Sequence, residues 1–123
     1  MLAQLFGVIF GLTAVVLGAF GAHALKKKFT EDQHASFETG IRYQFYHALV
    51  LLLVGFAQSG GLIGPGAYTW LFISGTVLFS FSIYGLCLSG VFGTKWRFLG
   101  PVTPVGGLLL VAGWVSLLYT IAR

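Results

Sequence analysis

Few side chains in this sequence could do chemistry: His23, His34 and His47, the single cysteine Cys87, and the carboxylates Glu31, Asp32 and Glu38. The most suggestive grouping is Tyr43, Gln44 and His47. At about 100° of helical rotation per residue they fall within roughly one sector, with Gln58 at the far end of the same stripe. A phenol, an amide and an imidazole on one face could hydrogen-bond a quinone or a lipid headgroup, or pass a proton. They lie in an apolar stretch, where an unpaired polar group costs several kcal/mol, so His47 must find a partner. A structural hydrogen bond is the first reading, and ligand binding or proton handling the second. The segment is expected to place His47 near the basic rim of the membrane.

The other reactive groups support less. His23 is expected at a depth similar to His47, but on the wheel it lies opposite the small-residue face of its own helix, so a His–His metal or haem site is not expected. His34 falls on an amphipathic segment and is read as solvated. Cys87 is alone, without a CxxC partner for redox or metal chemistry, and sits in an apolar run as a small filler. All three carboxylates fall in one loop, so no membrane-buried acid is available for proton-coupled antiport. No nucleophile–base pair and no metal-ligand spacing is present, so neither metal nor cofactor is expected.

The elements that carry these residues are membrane spans. Of 123 residues, 57% are hydrophobic and 8% charged. Mean hydropathy is +0.91. A soluble domain carries about 25% charged residues, and a chain this short cannot hide so much apolar surface in a water-solvated core. Spans of roughly 20 residues are read at Leu2 to Leu25, Ile41 to Gln58, Ala67 to Ser89 and Pro101 to Ile121. Ala22-His23-Ala24 resembles a signal-peptide cleavage site. However, the lysines follow the apolar run instead of preceding it, and the run is too long, so it reads as a retained span. The expectation is a single all-α domain: a four-helix transmembrane bundle with a short amphipathic interfacial helix in the first loop. Thr30 and Gln33 fit a capping box opening that helix at Glu31. Phe37, Ile41 and Phe45 share one face, Glu38 and Arg42 pair on another, and Gly40 is a candidate bend.

Wheels assign the faces. Ala3, Gly7, Gly11, Ala14, Gly18, Gly21 and Ala22 form a small-residue stripe along span one, where backbones can approach closely. Packing inside the bundle is the first reading of that stripe and self-association into a homo-oligomer the second. Span three is small and polar on two sides, with Ser74, Gly75, Ser82, Gly85 and Ser89 opposite Thr76, Ser80, Tyr84 and Cys87, so it is expected at the centre. Thr103, Gly106, Gly107, Gly113 and Trp114 give span four a packing face. Tyr68, Trp70, Trp96 and Tyr119 are placed at the membrane borders as an aromatic belt.

Net charge is +4, and its distribution points to lipid, not nucleic acid. Lys26, Lys27, Lys28 and Arg42 gather at the first loop, and Lys95 and Arg97 at the third. The terminal side carries only Arg123. By the positive-inside rule both basic loops face the cytoplasm, against anionic headgroups, and both termini lie outside. No basic stripe interleaved with exposed aromatics suggests a nucleic-acid partner.

Three stretches carry a family resemblance. Gly18-Ala-Phe-Gly-Ala-His-Ala-Leu25, Phe37-Glu-Thr-Gly-Ile-Arg-Tyr-Gln-Phe-Tyr-His-Ala-Leu49, and Pro101 to Gly107 followed by Gly113-Trp114 resemble the domain-of-unknown-function 423 family. That family includes small bacterial inner-membrane proteins and the vertebrate transmembrane protein 256. The resemblance covers essentially the whole chain. It implies four spans in a bacterial cytoplasmic membrane, no established activity and no catalytic residues. The functional expectation is a non-enzymatic membrane protein with an assembly, scaffold or lipid-interacting role. A small-solute transporter or channel is the alternative, followed by a quinone- or lipid-binding membrane enzyme.

Overall fold

A computed structural model describes all residues 1–123. It contains four long helices and no strands: α1 (Leu2–His23), α2 (Glu31–Ser59), α3 (Tyr68–Val91) and α4 (Val102–Ala122). All four are long and apolar enough to cross a membrane. A short 3₁₀ turn, Arg97–Leu99, leads into α4. Inside α3, residues Val77–Phe81 form a π-helical turn, a feature that single-turn widenings of α-helices often mark near functional or packing constraints.

The helices pack in chain order. α1 lies against α2, α2 against α3, and α3 against α4. α3 is the most buried of the four, with half of its apolar window covered, against 22% for α1 and 17% for α4. Its expected central position is therefore what the packing shows. The outward faces of α1 and α4 leave Val8, Leu12, Val15, Leu108, Val111, Val115 and Leu118 exposed, as lipid contact requires.

Small residues allow this close approach. A Cβ on Gly7 would lie 2.9 Å from the Ala48 carbonyl oxygen, and one on Gly21 would lie 2.8 Å from the Phe37 ring. Gly11 and Gly18 sit farther back, their Cβ positions 3.9 Å from Ala48 and 3.8 Å from Ile41. Ala3 and Ala14 are buried. The stripe thus packs on α2 along nearly its whole length. Ala22 departs from it: the side chain is exposed, because Gly21 takes the contact at that turn.

Three further expectations change. The amphipathic segment of the first loop is not a separate helix but the opening turns of α2, which runs unbroken for 29 residues. Its start is as expected: Thr30 Oγ1 accepts from the Gln33 amide N–H and Gln33 Oε1 accepts from the Thr30 amide N–H, both near 3 Å. Gly40 does not break this helix. Its missing Cβ admits the Tyr84 ring, which would lie 2.8 Å away. Tyr68 is buried, not in a border belt, and its hydroxyl accepts from Gln58 Nε2 (2.7 Å) and donates to the Gly64 carbonyl (2.6 Å). Trp70, Trp96 and Tyr119 are exposed.

Candidate functional site

The three residues grouped on α2 do not form one site. Tyr43 and His47 are one helical turn apart; the Tyr43 ring meets Phe79 of α3, and His47 reaches Trp114 of α4. Gln44, rotated away from both, points into the junction of α1, α2 and α3. Each therefore has its own partners.

Gln44 is fully buried. Its Nε2 donates to the Phe10 carbonyl (2.8 Å) and to Thr13 Oγ1 (2.6 Å), and its Oε1 accepts from the Tyr84 hydroxyl (2.6 Å). Thr13 in turn donates to the Ile9 carbonyl at 2.9 Å. One amide thus ties three helices together. One turn away, Ser80 Oγ donates to the Gly40 carbonyl at 2.7 Å, from within the π-helical turn. Sequence reasoning placed Ser80 and Tyr84 on one face of span three but gave no sign of the two groups they meet.

His47 is 4% exposed. Its Nδ1 lies 2.7 Å from the Tyr43 carbonyl, one turn earlier, and its Nε2 accepts from the Trp114 indole N–H at 3.1 Å. A carbonyl can only accept and an indole can only donate, so the two contacts together fix the neutral tautomer with the proton on Nδ1. A proton added to Nε2 would face the indole donor and break that bond. The ring is further enclosed by Phe72, at 5.6 Å between centroids, and by Tyr43, which stacks at 6.3 Å and in turn meets Phe79 at 4.9 Å. Both imidazole nitrogens are engaged by protein, and the ring fastens α2 to α4 across α3. Trp114 was legible only as part of a packing face, since it lies 67 residues away in sequence.

The expected depths of two histidines are corrected by the register of α1 on α2. Gly11 faces Ala48, while Gly21 faces Phe37. His47 therefore sits level with the middle of α1, not at the basic rim, because α2 begins at Glu31 and adds nearly three turns before the apolar stretch. His23 lies at the exposed end of α1, about 12 helical residues away, or roughly 18 Å at 1.5 Å per residue. His34 lies 3.6 Å from Glu38, which also pairs with Arg42 at 3.6 Å. Cys87 is buried, its thiol directed at the Gln33 carbonyl at 3.4 Å. Three buried oxygens have no partner, Gln4 Oε1, Thr69 Oγ1 and Thr76 Oγ1, and none belongs to an ionisable side chain.

Lys26, Lys27, Lys28, Arg42, Lys95 and Arg97 are all exposed. The antiparallel packing brings both basic loops to one end, beside the start of α2 and the start of α4. Between these elements lies a cavity of about 790 Å³, lined by α2, α3, the third loop and α4.

Comparison with known proteins identifies the family. A family described as "Protein of unknown function (DUF423)" matches residues 17–107. The chain belongs to this family. A UPF0382 membrane protein of Staphylococcus haemolyticus is 38% identical over 91% of this chain and 88% of its own length. The UPF0382 membrane protein YwdK of Bacillus subtilis is 40% identical over 90% of this chain and 88% of its own. A UPF0382 membrane protein of Schizosaccharomyces pombe is 40% identical over 88% of this chain and 91% of its own. No solved structure matches. The relatives are named as membrane proteins, and the chain is an integral membrane protein of the same family.

Proposed function

We propose that this DUF423 protein is a non-enzymatic component of a bacterial cytoplasmic membrane with a structural, lipid-interacting role. One observation carries the reading: the imidazole in the membrane interior has both nitrogens bonded within the chain, to the Tyr43 carbonyl and the Trp114 indole. A transport or catalytic site would need that group free to meet a solute or a proton. The adjacent amide, Gln44, is likewise fully engaged. The small-residue face of α1 is occupied by α2, so the reading includes no self-association through it. Six basic residues at one end against Arg123 at the other orient the basic loops to the cytoplasm and both termini outside.

Two experiments test this. Proteoliposomes of the purified protein should pass protons, small anions and neutral solutes no faster than protein-free vesicles; a protein-dependent flux would overturn the reading. Alkaline phosphatase fused after Arg123 should be active, and fused within the third loop it should be inactive. The reverse pattern would overturn the orientation.

A further inference from the structure

At mid-depth His47 and Gln44 are fully engaged by the chain, whereas charged groups at the basic end are not. The cavity of about 790 Å³ there is lined on the α2 side by Asp32, Gln33, Ser36 and Thr39. Lys95 and Arg97 line it from the third loop, and Thr103 from the first turn of α4. Its apolar floor is Ile83, Leu86 and Cys87 of α3. No ion pair within 4.0 Å joins Asp32 to Lys95 or Arg97, since the chain's two ion pairs both involve Glu38. Gln33 uses its carbonyl oxygen in the cap of α2, and its amide nitrogen donates to no protein group. The cavity therefore presents two cations, one amide donor and one carboxylate, all without protein partners, above an apolar base.

The position of the cavity matters as much as its chemistry. It lies between α2 and α4, over α3. Ile83 on its floor is one turn from Phe79, whose ring lies between Tyr43 of α2 and Gly107 of α4, with Tyr43 partly exposed. Farther along, the His47–Trp114 bond closes the space between α2 and α4. A molecule seated here would have its polar part among Lys95, Arg97 and Asp32, and any hydrocarbon would follow the apolar side of the cleft towards the midplane.

We infer that this groove binds the phosphate of a phospholipid whose headgroup also carries a primary ammonium, an ethanolamine-type lipid. The inference rests on the lipid-interacting reading and names its ligand. Lys95 and Arg97 take the phosphodiester through charge-assisted hydrogen bonds. Asp32 takes the ammonium. That carboxylate is the discriminating group: it repels a second negative charge and gives a purely anionic lipid nothing to meet. A quaternary choline has no N–H to donate to it.

The test uses the full chain in detergent micelles, with bound lipid counted by native mass spectrometry. Phosphatidylethanolamine, phosphatidylglycerol and phosphatidylcholine are offered in turn, and inorganic phosphate is added as competitor. One phosphatidylethanolamine per chain should be retained in preference to the other two. Lys95→Gln with Arg97→Gln should weaken retention about tenfold or more, the loss expected when even one hydrogen bond to a charged group, worth about 1.5–3 kcal/mol, is removed. Lys26→Gln with Lys27→Gln should leave retention unchanged. Asp32→Asn should abolish the preference over phosphatidylglycerol while keeping phosphate-dependent binding. All these positions are exposed, and circular dichroism melting of each variant checks that the fold is intact. Equal retention of all three lipids by the wild type, or unchanged retention by the Lys95/Arg97 variant, overturns the inference. Displacement of the lipid by millimolar inorganic phosphate would identify the free anion as the ligand and overturn the lipid assignment. A solute flux in proteoliposomes with lipid preference intact would instead count against the non-transport reading and leave the groove standing.

Discussion

Gly106 and Gly107 are neighbours on α4, and alanine should affect them in opposite directions. Both lie inside the helix, so both gain the same backbone preference when a methyl is added, up to about 1 kcal/mol. Their surroundings differ. A Cβ on Gly107 would meet the Phe79 ring at 3.6 Å, an ordinary contact. A Cβ on Gly106 would run into the Phe79 backbone nitrogen, with the Leu78 carbonyl carbon and Phe79 Cα each at 2.7 Å. These are main-chain atoms of the π-helical turn, so no side-chain rotation can relieve the clash. α4 would have to move off α3. Overfilling a packed contact costs about 1–3 kcal/mol, and a backbone neighbour places Gly106→Ala towards the upper part of that range. Its net effect should be a loss of about 1–2 kcal/mol, while Gly107→Ala should be neutral or slightly stabilising. Thermal unfolding in one detergent, followed by circular dichroism, gives both values on one scale. Equal stability of the two variants would refute the idea that α4 is docked backbone-to-backbone on the π turn.

Three further predictions follow from named contacts. His47→Phe and Trp114→Phe should each destabilise the protein, and the double variant should show a coupling of about 0.6 kcal/mol, the average for hydrogen bonds between membrane helices, and no more than about 1.7 kcal/mol; additive effects in that cycle would mean the two rings are not bonded. Gln44→Leu removes an acceptor from Tyr84 and a donor from the Phe10 carbonyl, so it should cost about 1–3 kcal/mol, and Tyr84→Phe should cost less because Gln44 keeps its bonds to α1; the opposite ranking would contradict the three-helix junction. Gly7→Ala should lower the melting temperature, since the Ala48 carbonyl lies 2.9 Å from the new methyl, whereas Gly11→Ala, with 3.9 Å of room, should not.

The sequence made the membrane spans legible because composition and length suffice for that, and a helical wheel needs only 100° per residue to find the packing face of α1 and the central place of α3. The capping box of Thr30 and Gln33 was equally local. What depended on chain segments far apart was not legible. Trp114 reaches His47 across 67 positions, and Tyr84 reaches Gln44 across 40. Neither distance leaves a trace in periodicity. The depth of His47 was misjudged for a related reason: counting hydropathy begins span two at Ile41, but the helix begins at Glu31, and register on α1 is set by which glycine meets which side chain. The π turn, with no proline or glycine inside Val77–Phe81, has no local signature at all.

Rarity drew attention to His47, yet rarity inside a membrane selects for pairing. A polar group surrounded by hydrocarbon has no water to fall back on, so a stable fold must bond it internally, and His47 and Gln44 are bonded in just that way. At the rim water is available, and a charge can remain without a protein partner at little cost. Lys95, Arg97 and Asp32 remain so, around a shaped cavity. In a chain with so few charges, an unpaired set gathered about one groove says more about an outside partner than a buried histidine whose two nitrogens are both engaged. The chemistry that remains open to a ligand lies at the end of the bundle, between α2 and α4, and not at its centre, where His47 and Trp114 hold them together.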